Sequence, residues 1–242
     1  MLKLIHLKDS QRLFTYKVAH DGGSAPNPFH GICTLAICKP AIRRVAKPGD
    51  LVVGLGCGSE SSRVVYCMLV EGSLAWSEYI DACRGRHAVA GTRVNAESWK
   101  KKVPSGGQDP GDCIWTEHAH YTDARDSWSG HGGQDDFARD VVDGRNVLFG
   151  TTFWYFGKGD PHAVRLTGDL SVIIAGRGHR SNANTPFRER FVDFFNSELV
   201  GRGIALPGRW GTPALEPAKT AAETRSRCRA TEREFDLHGE EL

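Results

Sequence analysis

The chain has 242 residues, 40% hydrophobic, 25% charged and 9% aromatic, with a formal net charge of +2. That is enough apolar material for a sizeable core, so folding requires neither disulfides nor a structural metal. A balance this mild excludes a uniformly basic surface and leaves only a local patch for nucleic acid.

Residues 13–19 alternate Phe14, Tyr16 and Val18 on one side, a strand pattern. Residues 21–31 hold three glycines and two prolines, which exclude helix and regular strand. Residues 32–38 form an apolar strand-like run. Pro40 opens a short helix over 40–46, with proline in its first turn. Lys47-Pro48-Gly49-Asp50 is a turn, and residues 51–55 and 63–70 read as buried strands. A short helix is expected over 77–83. Residues 85–146 are rich in Gly, Asp, His and Ser and read as a polar insertion. Strand character returns over 147–156 and again over 170–175. The pattern of Phe187, Phe191, Phe194, Phe195 and Leu199 marks a helix over 186–200, capped by Thr185, started by Pro186 and stopped by Gly201. Its charges Arg188, Glu189, Arg190 and Asp193 read as a solvated face. Residues 212–242 lose periodicity and read as a tail.

About six strands with three or four helices favour an α+β domain over residues 1–211, built on one curved mixed or antiparallel sheet flanked by helices. Gly54-Leu55-Gly56-Cys57-Gly58 lacks the spacing and the ensuing helix of a dinucleotide fold. Seven scattered cysteines without a Cys-x-x-Cys pair read as buried hydrophobes in a reducing compartment. With no signal-like start and no long apolar window, a cytoplasmic protein without a membrane span is expected.

Three segments carry chemistry. The loop at 21–31 offers a carboxylate (Asp21), an amide (Asn27), a ring (Phe29) and an imidazole (His30), followed by Lys39 and the Arg43-Arg44 pair. A rigid polar loop between buried strands often presents a site. The competing reading is a turn in which Asp and Asn cap backbone groups. The cations suit DNA phosphate, although solvated helix charges explain Arg43 and Arg44 equally well. Phe153-Trp154-Tyr155-Phe156 sends one aromatic pair to the core and the other to a pocket, where it stacks on a base, unless the whole strand is buried. Gly176-Arg177-Gly178-His179-Arg180 is a loop whose N–H groups and arginines suit phosphate. Cys113, His118, His120 and His131, with Asp109, Asp112 and Glu117, match no zinc spacing. No metal and no cofactor are expected.

Taken together, residues 25–31 (Ala-Pro-Asn-Pro-Phe-His-Gly), Cys33 to Arg44, Gly49 to Gly56, Phe153 to Gly157 and Gly176 to Arg180 resemble the nucleotide modification associated domain of type 2. The resemblance covers roughly residues 12–210, is densest before residue 70, and ties the chain to modified DNA bases and phage conflict. The chain is also similar to the Brig-type anti-phage DNA glycosylases, which implies excision of glucosylated hydroxymethylcytosine from double-stranded phage DNA. Such a reaction breaks an N-glycosidic bond through an oxocarbenium-like state, needing a carboxylate but no metal or redox cofactor. It also needs a flipped base. On this reading Asp21 is the catalytic carboxylate, and Asn27 and His30 orient base or water. Phe29, Phe153, Tyr155 and His179 hold the base. Lys39, Arg43, Arg44, Arg177 and Arg180 hold phosphates. The alternative is a non-catalytic reader of modified bases, since the Lys-Pro-Gly-Asp turn before a buried strand resembles PUA-like readers.

Overall fold

The computed structural model describes residues 4–19, 21, 25–28, 31–76, 78–79, 138–157, 160–174, 176 and 178–212. The alternating run becomes strand β1 (Leu13–Lys17), and the apolar run after the loop contributes only the short β2 (Cys33–Leu35). Helix α1 (Pro40–Val45) carries Pro40 in its first turn, as expected from a residue without an N–H to lose. Strands β3 (Leu51–Leu55) and β4 (Val64–Leu69) follow, then β5 (Gly72–Ala75). Beyond residue 137 come a π-helical turn (Ala138–Asp143), β6 (Asn146–Gly150) and β7 (Phe153–Tyr155). The chain closes with β8 (His179–Arg180), helix α2 (Arg188–Gly201) and β9 (Gly208–Arg209).

The fold is α+β. Its main sheet has six strands in the order β8-β1-β3-β4-β7-β9, with β1·β3 and β7·β9 parallel and the other pairs antiparallel. A second, three-stranded sheet, β2-β6-β5, is an addition to the single sheet expected. The expected single strand over 147–156 is two strands, one in each sheet. The chain changes sheets twice at one corner, between β4 and β5 and between β6 and β7. Glu71 clips that corner: its carboxylate accepts from Thr151 Oγ1 and from the Thr152 N–H, each at 2.9 Å. Burial pushes the Glu71 carboxyl up, but these hydrogen bonds outweigh it and hold the group below the ordinary glutamate range.

Each face of the main sheet has its own core. On one face Leu13, Val53, Cys67, Trp154 and Phe156 pack on α2 through Phe191, Phe195 and Leu199. Trp154 meets Phe195 edge-on at 5.9 Å between ring centroids, and Phe191 stacks on Phe195 at 5.5 Å. The other face packs Phe14, Val52, Met68 and Phe153 against Leu35, Leu148 and Ile42 of the second sheet and α1.

Several local readings are corrected. Residues 168–173 form a 3₁₀ helix rather than a strand. Thr185 and Pro186 lie in a 3₁₀ turn, α2 starts at Arg188, and the left-handed residue that ends it is Gly203, at φ +70°, not Gly201. Arg188 is not solvated: its guanidinium is buried and donates to the Asp9 and Gln11 carbonyls at 2.6 and 3.1 Å, tying α2 to the N-terminal segment. Of the helix expected over 77–83, Glu78 and Tyr79 are described, and both are helical. Most of the polar insertion and the tail beyond residue 212 lie outside the described residues. No helix among the described residues is long and apolar enough to cross a membrane.

Candidate nucleic-acid site

Paired strands place their residues in transverse rows, and all side chains of one row share a face. One row crosses the whole main sheet: His179, Tyr16, Gly54, Tyr66, Tyr155, Arg209. Three buried tyrosines, a histidine and an arginine thus line one side of six adjacent strands. Gly54 is the gap that makes this possible. A Cβ there would sit 2.6 Å from both Tyr66 Cδ1 and Val18 Cγ2, so the Tyr66 ring lies over bare backbone.

The hydroxyls of Tyr16 and Tyr66 are hydrogen-bonded to each other at 2.8 Å. Burial raises both phenols well above their ordinary value, so both remain neutral. Tyr155 Oη donates to Asp21 Oδ1 at 2.7 Å. Burial first, and then the nearby Asp21 carboxylate, raises Tyr155 as well, keeping it a donor. Asp21 is itself buried, at 4% exposure. Asn27 is buried too, and its backbone makes a two-hydrogen-bond bridge with Thr34 at 2.9 and 3.0 Å. Of the described loop residues, Asn27 is thus tied to the second sheet and Asp21 to the tyrosine row.

Lys39 reaches the same face from the residue just before α1, with Nζ 5.1 Å from the Tyr16 ring centroid. His179, half-buried beside the Phe14 ring at 6.3 Å, has its pKa lowered by burial and then by the Lys39 charge. Its imidazole is thus biased toward the neutral form. Arg180 is half-buried, and its Nε donates to Asn184 Oδ1 at 3.2 Å.

The Arg43-Arg44 pair splits. Arg44 is exposed on α1, as a phosphate contact requires. Arg43 is wholly buried, and this corrects its assignment to phosphate. Its Nε donates to the Cys38 carbonyl at 2.7 Å, Nη1 to the Asn146 carbonyl at 2.8 Å and Nη2 to the Asp140 carbonyl at 2.7 Å. The Asp140 carboxylate lies 3.5 Å from Nη2. A guanidinium committed to three backbone carbonyls in the core cannot reach a phosphate. Of the two readings of the aromatic strand, the buried one holds: all four residues are buried, with Trp154 and Phe156 against α2 and Phe153 and Tyr155 toward the second sheet. Phe153 packs in the core, and the Tyr155 ring presents its hydroxyl rather than an open face.

Phe29, His30 and Arg177 lie outside the described residues, as does the histidine- and cysteine-containing segment 113–131. Tyr16, Tyr66 and Arg209 were missed in the sequence. Tyr16 and Tyr66 satisfy the apolar patterning of their strands, and only the register aligns them.

The family model of nucleotide modification associated domain 2 matches residues 10–213, most of the chain, and the chain belongs to that family. No curated protein and no solved structure gives a significant match.

Proposed function

We propose that this member of the nucleotide modification associated domain 2 family is a DNA glycosylase that releases a bulky modified pyrimidine, such as glucosylated hydroxymethylcytosine, from double-stranded phage DNA. The observation that carries the reading is the buried Asp21 carboxylate, held by Tyr155 beside the Tyr16–Tyr66 pair. A flipped base needs hydrogen-bonding groups on a rigid apolar floor, and sugar cleavage needs a carboxylate near C1′. The reading is supported by the shared face of Tyr16, Tyr66 and Tyr155 on the main sheet and by the hydrogen bond from Tyr155 to Asp21.

In the proposed step the C1′–N bond breaks and the base leaves with the electron pair. Asp21 steadies the cation at C1′ and takes the proton of the water whose oxygen joins that carbon. Asn27 and His30 orient water and base. Tyr155 holds Asp21 through its hydroxyl on the floor formed with Tyr16 and Tyr66, His179 and the ring of Phe29 contact the base, and Lys39, Arg44, Arg177 and Arg180 face the phosphates.

The test uses duplex DNA carrying glucosylated hydroxymethylcytosine beside unmodified duplex, alkali treatment and mass spectrometry of released bases. The proposal expects alkali-labile strands and free modified base from the glucosylated DNA alone, and loss of both in Asp21→Asn with DNA binding retained. Full activity in Asp21→Asn refutes the assignment of Asp21. Intact DNA with selective retention of the protein identifies a reader of modified bases instead.

A further inference from the structure

Cys38 and Lys39 are consecutive left-handed residues, with φ of 59° and 45°, and neither is glycine. Backbone of this kind persists where the surroundings over-determine it. Here both polar groups of Cys38 are held by a single buried clasp. Its N–H donates to Asp140 Oδ1 at 2.8 Å, and its carbonyl accepts Arg43 Nε at 2.7 Å. Arg43 in turn donates to the carbonyls of Asp140 and Asn146. The clasp is braced from outside: Trp76 Nε1 donates to the Asp140 carbonyl at 2.9 Å, and a Cβ on Gly144 would overlap the guanidinium. What this arrangement delivers is one side chain, Lys39, with its ammonium over the Tyr16 ring.

We propose that Arg43 and Asp140 are positioning residues that hold the left-handed Cys38–Lys39 turn and so fix the Lys39 ammonium against the tyrosine row. The use of that ammonium as a phosphate contact rests on the glycosylase reading. The positioning itself does not.

His179 reports on Lys39 without DNA. It faces the Phe14 ring, Tyr16 across the strand pair and the Lys39 charge. Its ring titration is followed by NMR, assigned with His179→Gln. Lys39→Met raises the midpoint by removing the neighbouring charge, and Asp140→Ala raises it in the same direction because the ammonium is no longer held. Adding Cys38→Gly, which adopts the left-handed turn without strain, returns the Asp140→Ala midpoint toward wild type. Arg43→Lys keeps the charge but loses the Nε–H donated to the Cys38 carbonyl, and gives the same upward shift should Asp140→Ala not fold. A folded Asp140→Ala or Arg43→Lys protein with the wild-type His179 midpoint overturns the proposal. The salt dependence of DNA binding then separates the two readings. If Lys39 meets a phosphate, Lys39→Met and Asp140→Ala each reduce the slope of log K against log salt by about 0.9. An NMR shift with an unchanged slope supports the positioning and refutes the phosphate role.

Discussion

Replacing Arg43 by Met tests the fold and the site together. Methionine keeps most of the stem volume and removes the guanidinium. The loss is three hydrogen bonds to the carbonyls of Cys38, Asn146 and Asp140, each with a charged donor, together with the ion pair to Asp140. Bonds of that kind contribute about 1.5–3 kcal/mol each before the cost of burying the charge is set against them. That cost is visible: burial lowers the Arg43 pKa, and Asp140 opposes the shift without cancelling it. Removing one partner of a buried pair costs about 3–5 kcal/mol; Asp140 keeps the Cys38 N–H and has Arg139 3.9 Å away, which sets the loss toward the lower end of that range. For a chain of this size the range corresponds to roughly 6–20 °C in Tm. The assay is urea unfolding followed by circular dichroism, with Arg44→Ala as control. Arg44 is exposed on the same helix, and its loss is expected to change stability by less than about 0.5 kcal/mol. A loss below about 1.5 kcal/mol in Arg43→Met, or an equal loss in Arg44→Ala, refutes the reasoning.

Three further outcomes follow from the same structure. Tyr155→Phe removes the hydroxyl donor to the buried Asp21 and is expected to cost about 1–3 kcal/mol in chemical denaturation, with base release falling alongside; unchanged stability would mean that the pair is not formed in solution. Gly54→Ala drives a methyl group into the Tyr66 ring, so a loss of about 1–3 kcal/mol and a displaced Tyr66 resonance are expected, whereas a neutral result would show that the ring has room to move. Glu71→Gln weakens the corner clip by about 1 kcal/mol at pH 7. Because the folded Glu71 pKa is depressed, the unfolded chain binds the extra proton first as pH falls. The wild-type advantage over Glu71→Gln is therefore complete above the ordinary glutamate value of about 4.3 and disappears as pH drops through the lower folded value; thermal melts from pH 7 to 2.5 that keep a constant gap would contradict this sign.

The local elements were legible where local chemistry determines them. β3 falls on its expected bounds because four apolar side chains and a glycine between a Pro-Gly turn and a Gly-rich segment have no other way to be buried. The apolar face of α2 follows from the spacing of Phe191, Phe195 and Leu199. The family was legible from its motifs, above all residues 25–31 and the segment around Arg43, Arg44 and Asp50. At the candidate site, Asp21 and Tyr155 were each singled out in the sequence, but as members of separate segments. Their hydrogen bond joins residues 134 positions apart.

The α+β class, the positions of the main strands and helices, and the residue types available for chemistry can all be read along the chain. These follow from periodicity, proline and glycine geometry, and side-chain polarity, all properties of neighbours along the chain. The folded chain was needed to reveal that residues 146–155 divide between two sheets, that Tyr16, Tyr66 and Tyr155 share one row, and that Arg43 is core while Arg44 is surface. The physical reason is that strand register and the burial of a charge depend on partners distant in sequence. Asn146, whose carbonyl helps to hold Arg43, lies 103 residues away, and nothing in the sequence around Arg43 announces it.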